Sequence, residues 1–447
     1  MAALVGPGPR GGPLRSLTAD AVRARGGPEW LVTARLEALE RFGSSGLPSQ
    51  AEEIWRYSRI DDLDLDAYEL GPAGDGRGGA EPGAVPAGAG AGLADPAASV
   101  EVLDGSVASI ELGAGARSAG LSVRRLSELT AAPDVVGRLA EGADAFVDLA
   151  TAVALDALVI AVPAGKAIDG PVVVTHRLSG GGRATASRTL VQAGRASQVS
   201  VIETLVSDDS PALHAPVVEL WLDEGANVDY AGLQLLGRSA WCLGHQVSQV
   251  GRDATLRSLS VALGGDYARL RTDSRLTGAG GSTRLLALYF GEGTQMHDFR
   301  TLQDHSAPKT TSDLLFKGAV QDEANGVYSG LIRVRRGAAG TNAFQTNRNL
   351  VLAEGAMAWS VPNLEIEEND VRCSHASAVG PVDEEQMYYL QSRGIPPEVA
   401  ERLIVLGFFD DLLAGAPAPA LHPVVRRMVS DKLERHLVST SRRAGGG

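Results

Sequence analysis

From about Val100 to Ile366 apolar side chains recur at every second position. Val218, Leu220 and Leu222 form one such run, and Leu259, Val261 and Leu263 another. Leu286, Leu288 and Phe290 continue the pattern, as do Met357, Trp359 and Val361. Successive side chains of a strand point to opposite faces, so each run predicts a short strand with one buried face. Small turns separate the runs: AGRAS, EGANV, GRDAT, DEANG and EGAMA, with alanines at Ala196, Ala226, Ala254, Ala324 and Ala356. Gaps of 30, 28 and 32 residues separate the close pairs. The wider gap between Ala254 and Ala324 leaves room for one more coil around Gly280 and Gly281, and for a longer loop over residues 295–312. A degenerate repeat of this length without helices points to a solenoid or a propeller. Propeller blades need about four strands per ~40–45 residues and carry Trp-Asp type signatures. Those signatures are missing, so strands coiled into a β-helix fit better. A large β-sandwich is the other arrangement such alternation allows.

Both ends change period. Leu36, Leu39 and Phe42 recur at helical intervals after Pro28, with Glu37, Glu40 and Arg41 on the other side. Residues 1–70 are read as an N-terminal helical region behind a Gly/Pro-rich start over 1–15. Residues 71–98 form a Gly/Ala/Pro linker with nothing large enough to pack, expected to be disordered. The strands occupy 99–370. Residues 371–447 bring a candidate ligand segment and then two amphipathic helices. Pro396, Pro397 and Glu398 suit a first turn, and Val399, Leu403, Leu406 and Phe409 are expected to share one apolar stripe. Val425, Val429, Leu433 and Leu437 form the second stripe. Such helices could cap the open strand edge of a β-helix or offer a groove to a partner.

A net charge of −13, with no basic run, argues against nucleic acid or an anionic membrane as the main partner. Two cysteines exclude a disulfide framework and fit a reducing compartment. No run approaches the ~20 apolar residues of a membrane span, and no secretory h-region is evident at the start. The expectation is a cytoplasmic protein.

One cysteine carries the candidate chemistry. Cys373 stands two positions before His375, so on an extended strand the thiol and imidazole project side by side. Both are donors that suit iron, zinc or copper. A closed site of this type wants about four ligands, so the remaining donors must come from elsewhere. The alternative for the pair is a buried thiol beside a hydrogen-bonded imidazole. The acidic residues Glu365, Glu367, Glu368, Asp370, Asp383, Glu384 and Glu385 could steer ferrous iron, although such runs are usually solvated faces. Cys242 and His245 are three apart, on opposite faces of a flat strand, which favours core packing for Cys242. His297 and His305, with Asp298 and Asp304, fall in the expected loop and could bind metal, but without H-E-x-x-H spacing. There is no G-x-x-x-x-G-K-[ST] and no G-x-S-x-G. The chain therefore reads as non-enzymatic.

The segment VRCSHASAVGPVDEEQMYYLQSRGI, flanked by PNLEIEEND and IPPEVAERLIVLGFFDDLL, resembles the C-terminal signature of the SufB/SufD family of iron–sulfur cluster assembly scaffolds. It is nearer to SufD, with Ala376 where that family usually has glycine. EEIWRYSRIDDLDL and FVDLATAVALDALVIAVPAG extend the resemblance more loosely upstream. The resemblance implies a right-handed parallel β-helix that pairs with a SufB-like paralogue. It implies that the SufC ATPase docks on the C-terminal helices. It also makes His375 a ligand or iron-positioning residue facing a SufB cysteine, with Cys373 a second donor. Ferrous iron, a transient cluster or a flavin are all left open as the group held. The rivals are a SufB-type sulfur acceptor, which two cysteines disfavour, and a β-helix carbohydrate-active enzyme.

Overall fold

The computed structural model describes residues 16–71, 95–130 and 137–444, with side chains as far as Arg435. The Gly/Pro-rich start, most of the 71–98 linker and the side chain of Leu437 lie outside the described residues. The core is a parallel β-solenoid of about eight turns. Consecutive strands alternate between two sheets, so each turn contributes one strand to either side. Val199, Val201, Val228, Leu256, Leu285 and Phe316 point inward and fill the lumen. The outer face of one sheet is covered by helices Glu29–Ser45 and Ala145–Val153, with Trp55 and Phe146 packed between. The outer face of the other is covered by helices Pro397–Leu413 and His422–Ala444. Covering both faces explains why strands such as Ser282–Gly291 are apolar at consecutive positions towards their ends.

The repeat is real, but its register differs from the alanine spacing. Along one corner, Ala196, Gly225, Asp253, Gly280, Lys309 and Gly340 stack through backbone hydrogen bonds, and all adopt positive φ. One left-handed residue per rung turns the chain sharply, which glycine does at least cost at Gly225 and Gly280. The extra coil expected at Gly280 and Gly281 occupies its place in this ladder. Ala226 and Ala254 follow the ladder residues and are fully buried inside the same corner. Ala324 and Ala356 instead belong to the opposite corner, where Met357 donates to the Ala324 carbonyl and Asn325 to that of Gln295. The single alanine repeat therefore merges two columns, because buried corners of either kind select a small side chain.

The long loop expected over 295–312 is absent. Residues Met296–His305 form a strand in register with Tyr267–Leu276 and Asn325–Val334, followed by a tight turn. Several of its polar side chains are satisfied by neighbours on the same turn and on the preceding rung, so the apolar period fails there although the strand is buried. Asp298 accepts from Tyr267, Arg269 and Arg300, and His305 bonds Thr310 and Ser312.

The two ends of the solenoid differ. At the first, antiparallel strands finish both sheets: Ser106–Leu112 pairs with Ala98–Leu103, and Ser122–Arg125 with Leu158–Val162. At the second, Met357–Ile366 and Val371–Gly380 are the outermost strands of their sheets, each paired on one side only. The C-terminal helices lie on the flank and not over this end, so they do not cap it. The stripe of the first helix is shifted: Val405, Leu406, Phe409, Leu412 and Leu413 are buried against the sheet, whereas Val399 and Leu403 are exposed. In the second helix Val425, Val429 and Leu433 are buried as expected. No described helix is long and apolar enough to cross a membrane.

Candidate functional site

The last strand, Val371–Gly380, places Cys373 opposite Ala343 and His375 opposite Gln345. Ala343 and Gln345 are buried, facing the lumen, while Phe344 between them faces out. Cys373 and His375 therefore belong to the inner face of the final rung, and Ser374 to the outer. The same-face reading of the i, i+2 spacing holds. The Ser377 hydroxyl, which follows His375 on that face, donates across the lumen to Ser360 of the other sheet at 2.7 Å. The rung is closed internally and open above.

An inner-face residue is normally sealed by the next rung. Here no further rung follows, so His375 is exposed and Cys373 half-buried. Leu364, Ile366 and Val379 share the inner face and are 37%, 43% and 44% exposed. Those values fit an uncovered core layer, since the corresponding residues one rung down, Ile332 and Val334, are fully buried. Cys373 rests on Ile332, Val334, Ala338 and Ala343. This burial pushes its thiol up, opposed by a hydrogen bond from the Ala343 backbone. The thiol is thus held in its protonated form.

Three of the acidic residues nearby serve the fold. Glu365 pairs with Arg333 at 2.8 Å, Glu368 accepts from the Gly337 and Asn369 amides, and Asp383 caps helix Glu384–Ser392. Among the described residues, no three His, Cys, Asp or Glu side chains converge on a point that could hold a metal. Two donors at an uncovered rim are what one chain offers.

Other candidates do not join them. Cys242 is buried with Leu178, Leu205 and Ala268, and desolvation pushes its thiol up to about 12. His245 bonds Asp273 at 3.3 Å instead. His297 and His305 are fully buried mid-solenoid, with burial holding both imidazoles well below their ordinary range. They are core residues and not a loop metal site. The uncovered layer of Leu364, Ile366 and Val379 escaped sequence reading. Its signal, alternation persisting through the strand that carries Cys373, is visible only once the strand is known to be the last.

Residues 176–408 match the domain described as SUF system FeS cluster assembly, SufBD core. Across 229 residues the chain is 40% identical to an iron–sulfur cluster assembly SufBD family protein of Mycobacterium tuberculosis, covering 49% of this chain and 58% of that protein. It is 30% identical over 288 residues to the iron–sulfur cluster assembly protein SufD of Bacillus subtilis, covering 63% and 62% of the two chains. Against SufD of Escherichia coli the identity is 29% over 297 residues, covering 65% and 70%. The match thus spans a little over half the length of the mycobacterial relative. The region matched to the core domain contains both Cys373 and His375 and ends within helix Pro397–Leu413.

Proposed function

This chain belongs to the SufBD core family of the SUF iron–sulfur cluster assembly system, and from that premise we propose that it is a SufD-like, non-catalytic scaffold subunit. Its open solenoid end pairs with a SufB-like paralogue, and its C-terminal helices receive the SufC ATPase. His375 and Cys373 lend two donors to iron or a nascent cluster, and the paralogue's thiolates supply the rest. The observation that carries this reading is the thiol and imidazole side by side on the inner face of a terminal rung paired on one side only. A free strand edge with an uncovered apolar layer suits pairing with another chain.

The chemistry of the donors sets their roles. A neutral imidazole binds a soft or borderline cation without losing a proton, so His375 is the ready ligand. Cys373 must give up its proton first, so its engagement should release one proton and strengthen with rising pH. A sulfur-accepting role fits less well, because the second thiol, Cys242, is sealed in the core.

The test is co-expression with the genomic neighbours, followed by anaerobic reconstitution and absorption spectroscopy. His375→Ala should leave the complex intact by size exclusion and lower cluster yield at least ~10-fold. Cys373→Ser should have a smaller effect that grows with pH. A wild-type cluster yield in His375→Ala would overturn the assignment.

A further inference from the structure

The face that carries Cys373 and His375 continues downward into the lumen. One rung below His375, on strand Thr341–Val351, its in-register neighbour is Gln345. Gln345 is 1% exposed, and neither its amide oxygen nor its amide nitrogen has a hydrogen-bond partner. Two other amides on that face of the strand are provided for. Asn347 donates to the Phe316 carbonyl and accepts from Asn349, which in turn accepts from Tyr289. Burying an amide without partners is costly, so the orphaned one needs a reason.

Beneath Gln345 lies Leu314, which is apolar and fully buried. Across the lumen lies Gly330, in the interior of strand Asn325–Val334. A methyl group there would strike the Tyr328 hydroxyl, the Gln345 amide nitrogen and the Thr301 hydroxyl, all within 2.7 Å of it. Glycine weakens a strand interior, and here it leaves the room in which the Gln345 amide sits. Tyr328 and Thr301 are already bonded to each other at 3.0 Å. The rung above brings His375, uncovered and with two ring nitrogens. Neighbouring rungs are about 4.8 Å apart, so a turn about the side-chain bonds of either residue brings amide and imidazole into contact. An imidazole that binds a metal through one nitrogen ordinarily donates its other N–H to an oxygen, which fixes its tautomer and ring orientation.

We propose that Gln345 is a positioning residue for His375: its amide oxygen accepts the inward N–H of the imidazole and leaves the outward nitrogen free as the donor at the rim. The purpose of that contact rests on the scaffold function proposed above. The contact itself does not, and it can be tested on the isolated chain.

The experiment is nitrogen NMR of the full chain labelled with 15N-histidine, recorded at pH 8, above the ordinary imidazole range. His375→Ala identifies the signals. A fixed tautomer separates the two ring nitrogens widely, and a mixture draws them together. In wild type one tautomer should predominate at least ~10-fold, and in Gln345→Met that ratio should fall at least ~3-fold. Methionine has a similar length and no amide, so the melting temperature should hold or rise, because an orphaned polar group has been replaced by an apolar one. Should Gln345→Met fail to fold, Gln345→Asn, whose amide ends one methylene short of the imidazole, should give the same loss. A tautomer mixture in wild type, or His375 signals unchanged in a folded Gln345 variant, would overturn the proposal and leave the amide to water in the lumen. That failure would leave the cluster-scaffold reading standing, and normal maturation in His375→Ala would sink that reading without touching the contact.

Discussion

At the scale of single residues, the solenoid interior holds several polar side chains in the state that avoids charge. Burial pushes the imidazoles of His214 and His297 down to about 3 and that of His305 to about 4. In an unfolded chain these groups accept protons near 6.5. Between roughly pH 6.5 and 4 the unfolded state thus binds protons that the folded state refuses, and stability must fall as pH falls. Neither ring nitrogen of His297 has a hydrogen-bond partner. His297→Leu should therefore shift the acid-unfolding midpoint, followed by circular dichroism, to lower pH. Gly318 illustrates a different constraint. A methyl group there would fall inside the ring of Tyr289, whose hydroxyl is fixed to Asn349 at 2.7 Å. Overpacking of this kind costs about 1–3 kcal/mol, so Gly318→Ala should lower the urea midpoint accordingly.

At the scale of elements, the last helix is pinned by Lys432, whose ammonium is pushed down to about 7 by burial, against the pull of Glu292. The unfolded chain keeps that proton to about 10.5. Above pH 7 the unfolded state therefore holds more protons than the folded one, and stability should rise with pH. Melting temperatures recorded from pH 7 to 8, below the ~8.5 at which unfolded cysteine ionises, should show the rise. Lys432→Met should flatten it. On the other flank the N-terminal region is held by cations from below. Arg269 lies under the Trp55 ring at 3.6 Å and donates to the Ile54 carbonyl, and Arg300 donates to that of Arg56. Tyr57, at positive φ, stacks on Trp359 of the terminal rung at 5.8 Å. Both helical flanks thus reach the last turns of the solenoid.

At the scale of the whole molecule, the asymmetry of the ends decides what the protein can do. One end is finished by antiparallel strands; the other exposes an unfinished core layer next to the Cys373 thiol and the His375 imidazole. Pairing through that end should fail when the layer is charged. Val379→Glu should abolish co-elution with a SufB-like paralogue on size exclusion while leaving the melting temperature of the isolated chain within about 3 °C, because the side chain is already 44% exposed. Loss of folding in that variant, or undiminished pairing, would argue against this end as the interface.

Period-two runs such as Leu286, Leu288 and Phe290 determine strands by themselves, because alternation is a local property of the backbone. The same property put Cys373 and His375 on one face. Local patterning did not reveal Met296–His305, where Asp298 is satisfied by Tyr267 and Arg269 of the preceding rung and His305 by Thr310 and Ser312 across the turn. It also merged Ala254 and Ala324 into one column, since any buried corner selects a small residue. Nor could it tell that Val399 and Leu403 turn away from the sheet. Whether a face is inner or outer, and whether another rung covers it, depends on contacts between strands some thirty residues apart. Only the tertiary stacking makes the thiol and imidazole a rim instead of a core, because exposure belongs to the last turn of the coil and not to the residues that form it.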